Sequence, residues 1–505
     1  MIDRKLKFKM FGLLLVLSIC QLAHAQNSYS VLITNTSNET SSDFVEYQPD
    51  KFAVVGSSNP YGRTKASYKA KIWLVGSGSD TSSISYSFGD TAAYFNNICK
   101  NPDGTVSVGG NMFLPPEYEK SVMFFVELDS LFQIRNQKII AFDNWNEVPL
   151  FIMLPISNNG LFGVALAYSE DSTRLCLIRL DSDLNLVRTK FFIQNISSGC
   201  NISDMVFSTD SSQLWVFAES LLSTGQDFTI IDTSFNLVSY KDIPHYWNAS
   251  TMEAQVYYGE ITAKLITDST FLIGGKIAKS NMNYPPTGDQ SMGVSELDTT
   301  MVWTPATIIG SPDTTDYPAW SNSIDLINPD SIYFAGTYNM AGSFYPQTKS
   351  WVMTGMLNRN LEQQFIHYYG GDAFYHASVM RCTSDGGVFI VSRKYDYLSI
   401  ENQDDIFILK LNNKGLITNM KPDASLPKES LVIVSPNPFI EEFTIDMLAI
   451  SARMVLSDLS GRTVLSKKLK KGRNRINASY LKPGVYFAKF QFDTGEIGIE
   501  KIIKK

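Results

Sequence analysis

Seven apolar segments, each ending on a small residue, recur between residues 40 and 420 at intervals averaging about 56 residues, and this repeat restricts the fold of the 505-residue chain more than anything else in it. They occupy 52–56, 106–109, 161–165, 214–218, 271–274, 332–336 and 388–392. Before each stands a step of the kind tight hairpins favour: Asp50-Lys51, Asp103-Gly104, Asn159-Gly160, Ser211-Ser212, Asp268-Ser269, Asp330-Ser331 and Asp385-Gly386. In six units another apolar strand follows, ending at 128, 180, 231, 297, 357 and 411, and the next residue is Asp or Asn every time. That residue opens a short turn into a fourth strand, as at 185–187 or 364–366. One four-stranded antiparallel unit cannot cover its own apolar faces, so seven in series predict an all-β fold, a seven-bladed β-propeller over residues 26–420.

The pattern resembles the repeats of secreted propeller proteins, although kelch and WD40 signatures are absent. The seventh unit has only a weak fourth strand after 416–418, while 29–34 reads as a strand with no unit of its own. The N-terminal strand is therefore predicted to complete the last blade, because an open ring would leave an unpaired edge. In such a blade the loops between strands two and three, and those from blade to blade, open on one face. Here they are long and aromatic. Tyr61, Tyr68, Phe113, Tyr118, Tyr284, Phe344, Tyr345, Tyr395 and Tyr397 lie within units, and Trp145, Tyr246, Trp247, Tyr317, Trp320, Tyr368 and Tyr375 between them. Amphipathic rings offer large contact area at low entropic cost, which makes the second set the candidate ligand-binding residues, for a glycan or a protein partner.

The last 75 residues read as a separate small β-domain. Apolar alternation at 431–434, 443–447, 454–459, 464–469, 486–492 and 497–503 predicts an immunoglobulin-like sandwich over 431–505, reached through a linker at 421–430. Four blocks stand out: Val434-Ser435-Pro436-Asn437-Pro438-Phe439, then Asp458-Leu459-Ser460-Gly461-Arg462, then Leu481-Lys482-Pro483-Gly484-Val485-Tyr486, then Lys501-Ile502-Ile503-Lys504. In order and spacing they resemble the C-terminal (type A) sorting domain of type IX secretion cargo. The resemblance implies export by that machinery as a partner, a destination outside the cell or on its outer surface by way of the periplasm, and removal of the domain at the linker. It assigns the sorting motif to Pro436, Asn437, Pro438, Asp458, Gly461, Arg462, Pro483, Gly484 and Tyr486. This segment has 13 Lys and Arg against 7 Asp and Glu, whereas the whole chain is at −7. A basic module on an acidic body suits separate docking.

The front end matches that destination. Arg4-Lys5-Leu6-Lys7-Phe8-Lys9 is a positive region, 10–19 an apolar core too short to span a bilayer, and Ala23-His24-Ala25 a small-residue cleavage site, so residues 1–25 are expected to be a signal peptide cut between Ala25 and Gln26. No later stretch has 18 consecutive apolar residues, and no transmembrane segment is expected in the mature chain.

Signals for chemistry are sparse. Asp181-Ser182-Asp183-Leu184-Asn185 opens like a calcium loop but lacks Gly at the sixth place and Glu at the twelfth. His367, Asp372 and His376 fall within ten residues, close enough to share a metal or a proton. Cys99, Cys176, Cys200 and Cys382 have no zinc spacing, and only a Cys176–Cys200 bridge is conceivable. No nucleophile elbow, phosphate-cradling glycine loop or nucleic-acid-binding basic patch is present. No cofactor, metal or catalytic residue is assigned. The sequence thus points to an exported, non-catalytic binding protein. The alternatives are a hydrolase or lyase using carboxylates such as Asp143, Glu147, Asp316 or Asp372 at a channel mouth, and a structural or adhesion component.

Overall fold

The computed structural model describes residues 27–505 apart from 36, 60–64, 77–78, 170–171, 193–200, 220–225, 244–245, 249–252, 268, 281–289, 301, 303, 312–313, 342–345, 400–402, 418–431, 436–437, 459–461 and 493–496. The segments expected to be signal peptide and linker, the expected cleavage site Ala25/Gln26, and Pro436, Asn437 and Gly461 of the expected motif therefore lie outside the described residues. The chain divides into two compact units, Met1–Asp423 and Ala424–Lys505.

In the first unit the described residues form seven antiparallel sheets of four or five strands, six of them built from consecutive chain segments and the seventh completed by the N-terminal strand. Their first strands are Asn38–Gln48, Ala92–Lys100, Leu150–Pro155, Asn201–Phe207, Glu253–Thr267, the split pair Tyr317–Pro318 and Ile324–Asn328, and Phe374–Cys382. Numbered in that order, each sheet bonds or packs to the next through these strands. Asp43 Oδ2 accepts from Ile98 N at 3.1 Å, Asn97 Nδ2 donates to Phe151 O at 2.9 Å, and Asp204 Oδ2 accepts from Ala263 N at 2.8 Å. Ser323 N donates to Thr262 Oγ1 at 2.7 Å, and Cys382 N to Asp325 Oδ2 at 2.8 Å. Sheets three and four meet through an apolar cluster that includes Phe162, Val164, Ile202 and Met205. Arg381 closes the ring from sheet seven to sheet one, 2.6 Å from Asp43 Oδ1 and bonded to Phe44 O. The arrangement is propeller-like. Tyr29–Ile33 pairs antiparallel with Asp404–Leu411, so the N-terminal strand does complete the last sheet.

The small residues of the repeat have a steric cause. Each unsplit first strand carries a register break, and in sheets one and two the backbone carbonyl before it lies against the second strand. A Cβ on Gly56 would meet Thr40 O at 1.9 Å and one on Gly336 would meet Tyr317 O at 2.4 Å, whereas at Gly109 and Gly274 it would meet the next sheet's Leu150 and Ile324 side chains at 2.5 and 2.7 Å. The Asp or Asn after each third strand has an equally local cause. Oδ1 of Asp129, Asp181, Asp232, Asp298, Asn358 and Asn412 accepts from the backbone N–H two and four residues on, at 2.8–3.0 Å. The residue three on is left-handed: Phe132, Leu184, Phe235 and Leu361 at φ 60–61°, Gly415 at 69°. All four bulky ones are buried. Outer strands are then stitched to the following turn, for example Arg188 Nη1 to Ser234 O at 2.7 Å and Lys241 Nζ to Thr299 O at 2.6 Å.

In the second unit two long strands, Glu442–Asp458 and Thr463–Asn477, form a hairpin whose register breaks between Met447 and Ser451. Before the break Glu442–Asp458 also pairs with Val432–Ser435, and after it with Gly484–Phe492, which pairs in turn with Ile497–Lys504. Phe443, Ile445, Leu456, Phe490 and Ile502 share one buried core between these halves, the small sandwich expected. Among the described residues, several of the motif positions make local contacts. Asp458 Oδ1 accepts from Arg462 N at 3.1 Å and Oδ2 pairs with Arg462 Nε at 3.2 Å across the hairpin turn. The buried Tyr486 donates its hydroxyl to Lys482 O at 2.7 Å, over Pro483, and Gly484 opens the strand opposite Lys504. Pro438 is exposed and leads into Phe439, a core residue whose N–H bonds Ile503 O at 2.9 Å. The first and last blocks of the sorting motif are therefore neighbours in the sandwich.

Candidate functional site

Along the axis of the first unit lies a cavity of about 1030 Å³, lined from all seven sheets. Its wall follows the breaks in the first strands. In sheets one, two, three, four and seven the break is one residue wide, at Ser41/Asp43, Phe95/Asn97, Leu150/Ile152, Ile202/Asp204 and Ala377/Val379. Sheets five and six depart from this. In sheet five the register jumps from Gly259 to Thr262, with Glu260 left-handed at φ 52°. In sheet six the strand is interrupted over 319–323, with Asn322 at φ 49°. That segment is held instead against sheet seven, Trp320 N donating to Ala377 O at 3.1 Å and Ser321 N to Ser378 O at 2.8 Å.

The two departures gather side chains in one quadrant of the wall. Trp320 is 63% exposed and stands edge-on to His376, ring centroids 6.1 Å apart. Tyr317 receives Lys276 Nζ over its ring at 4.0 Å and donates its hydroxyl to Gln290 Oε1 at 2.5 Å. Glu260 pairs with Lys276 at 3.6 Å. Burial, then the charges of Arg393 and Lys276, push His376 down to about 4. The ring is therefore a neutral imidazole near pH 7. Across the cavity the first strand of sheet three, Leu150–Pro155, offers an apolar wall with Phe151, Ile152 and Leu154 half-buried.

Of the seven aromatic candidates, the structure brings Tyr317 and Trp320 to the cavity. Trp145 stacks on Phe191 at 5.2 Å beside the core of sheets two and three. Tyr368 is buried against Tyr338, and Tyr375 is a core residue whose hydroxyl bonds Asp372 Oδ1 at 2.6 Å; these three do not line the cavity. Tyr246 and Trp247 sit on Tyr246–Asn248, which pairs with Glu253–Gln255; their side chains are outside the described residues. Tyr61, Tyr284, Phe344 and Tyr345 are outside them as well.

Other candidates disperse. His367 bonds Lys414 O at 3.1 Å as one of the outer stitches, Asp372 pairs with Lys394 at 2.9 Å, and only His376 reaches the cavity. Among the described residues no metal-holding cluster forms. Asp181 to Asn185 is the ordinary turn after a third strand. Cys176 is a buried free thiol, and Cys200 lies outside the described residues. Asp143 is exposed, Glu147 pairs with Lys65 at 2.5 Å, and the fully buried Asp316 is spent on Ser311 N, Thr314 Oγ1 and Asn339 N. None of these carboxylates lines the cavity. The carboxylates that do were missed from sequence: Glu39, Asp43, Asp204 and Glu260.

Comparison with known proteins adds the following. Residues 434–505 match the family described as secretion system C-terminal sorting domain. No curated protein matches the chain. Solved structures similar to it include the polysaccharide lyase Uly1, at 9% identity and a TM-score of 0.45 over 77% of this chain and all of that one. An oligogalacturonate lyase in complex with manganese is similar at 10% identity and a TM-score of 0.40, over 76% and 98%. PorZ of Porphyromonas gingivalis, a surface component of the type IX secretion system, is similar at 9% identity and a TM-score of 0.21, over 92% and 81%. The chain carries a type IX sorting domain behind a propeller-like β-fold, and is exported to the cell surface or beyond it. No described helix is long and apolar enough to cross a membrane.

Proposed function

We propose that the ring is a non-catalytic binding module that takes a glycan at the cavity mouth, with Trp320 as its stacking platform. The observation that carries this reading is the exposure of Trp320, an indole left 63% accessible beside a cavity of about 1030 Å³ whose other described aromatic lining residues are buried or half-buried. Sugar rings present apolar C–H faces to such a platform and hydroxyls to the polar wall. The carboxylates facing the cavity support binding over hydrolysis, since they are engaged already. Asp43 is held by Arg381, Glu39 by Lys71 at 3.0 Å, Glu260 by Lys276, and Asp204 by two backbone N–H groups.

The test is a glycan array probed with the mature full-length protein and with Trp320→Ala. Binding should weaken at least about tenfold in the variant, with an unchanged melting midpoint, because a stacked aromatic contributes about 1 kcal/mol or more. Glycan binding indifferent to Trp320 would remove the platform, and an array with no hit would favour a protein partner.

A further inference from the structure

We propose that the glycan bound in this cavity carries a primary amine, an amino sugar whose ammonium is received by Asp204; this rests on the glycan reading above. The inference comes from pairing off the charges around the cavity. Arg381 has Asp43 at 2.6 Å, Lys264 has Asp325 at 3.4 Å, Arg393 has Asp404 at 2.6 Å, Lys71 has Glu39 at 3.0 Å and Lys276 has Glu260 at 3.6 Å. Each of these cations has its own carboxylate. Asp204 is one carboxylate more. It accepts from Met205 N at 2.7 Å and Ala263 N at 2.8 Å, and among the described residues no cation forms an ion pair with it. The remaining lining cation, Lys100, is exposed at the end of its strand, three residues beyond Asn97 and so about 10 Å further along.

The hydrogen-bond ledger leans the same way. Glu39 Oε2 and Asn97 Oδ1 belong to lining residues, are buried, and have no partner among the described residues; both are acceptors. A wall left with spare acceptors and a spare negative charge is complementary to a ligand that brings donors and a positive charge. Asp204 follows the break in its strand as Asp43, Asn97 and Ile152 follow theirs, so it sits level with the apolar wall of Phe151 and Ile152. That wall suits the C–H face of the same sugar. Burial raises the Asp204 carboxyl above its usual range against the opposing charges of Lys264 and Arg381. An ammonium alongside it would offset that desolvation.

The experiment uses the mature full-length protein and four probes: a glucosamine oligosaccharide, its fully N-acetylated counterpart, a glucose oligosaccharide of the same linkage, and spermidine. Titration calorimetry at low and high salt should show the free-amine oligosaccharide binding at least tenfold tighter than the acetylated and glucose forms, with the preference shrinking as salt screens it. Asp204→Asn should abolish the preference and leave the Trp320-dependent remainder. Equal affinities for the three oligosaccharides, or a preference unmoved by salt, overturn the inference while the glycan reading stands, and neither needs the variant to fold. Spermidine binding that depends on Asp204, without any oligosaccharide binding, would keep the amine site and sink the glycan reading; no binding of any probe overturns both.

Discussion

The turns that follow the third strands, here the rim turns, and the first strands of sheets five and six contain the same unusual feature, a bulky or polar residue in left-handed backbone, and put it to opposite uses. At the rim the strained residues are Phe132, Leu184, Phe235 and Leu361, and all are buried. The left-handed conformation costs about 1–2 kcal/mol, and burying a Leu or Phe side chain contributes about 1.5–3 kcal/mol, so the rim turn stabilises the ring on balance. Glu260 and Asn322 bear the same strain without burying an apolar group. What their geometry delivers is position: Glu260 beside Lys276 and Tyr317, and the 319–323 segment that carries Trp320. Strain recovered by packing marks the scaffold, and strain left unrecovered marks the site.

Removing residues 26–35 attacks the scaffold most severely. It strips the closing strand from sheet seven together with the buried Tyr29 and Val31, and should lower ring stability by about 5 kcal/mol or more. Chemical denaturation of the truncated protein checks this, and an unchanged midpoint would mean that the ring closes without the strand. Phe235→Ala should follow at about 3–5 kcal/mol, the usual cost of emptying a buried aromatic site. On the site side, His376 gives a pH signature rather than a large loss. Held near 4 in the ring against 6.5 when unfolded, it takes up a proton on unfolding between those values. Its contribution is complete above about pH 6.5 and disappears as pH falls towards 4. His376→Gln should flatten the melting midpoint against pH in that window; parallel curves for the two proteins would show that other groups govern it.

These two uses of strain were unequally legible. The rim turn could be read from residue order, because Asp or Asn at the end of the third strand acts on N–H groups only two and four residues away. The closing strand was legible because a ring tolerates no free edge. The aromatic residues were harder. Trp145, Tyr368 and Tyr375 share composition and loop context with Tyr317 and Trp320, yet whether a ring faces the core or the cavity depends on strand register, which composition does not encode. Glu260 could not have been found, since nothing in a sequence marks left-handed backbone at a glutamate, and Asn322, although of a type that tolerates that conformation, is one asparagine among many. Asp204 was hidden for a different reason. It occupies the same place in its strand as Asp43, and only the tertiary fold shows that Asp43 forms the ion pair with Arg381 while Asp204 feels that charge without pairing to it.

The smallest effect, and the sharpest contrast, comes from placing glycine at each kind of strained position. Glycine adopts left-handed backbone without a steric penalty, so the substitution relieves strain in both cases. At Phe235 that relief is overwhelmed by the lost ring, and Phe235→Gly should be about as damaging as Phe235→Ala. Glu260 pairs with Lys276 at 3.6 Å, a long, half-buried contact that contributes about 1 kcal/mol. Strain relief and pair loss then nearly cancel, and Glu260→Gly should leave stability within about 1 kcal/mol of the wild type. Glycan affinity should nevertheless fall, because Lys276 loses the carboxylate that holds it over Tyr317. Denaturation midpoints paired with oligosaccharide titrations decide the matter. A Glu260→Gly protein destabilised as much as Phe235→Gly would show that both strains serve the scaffold alone.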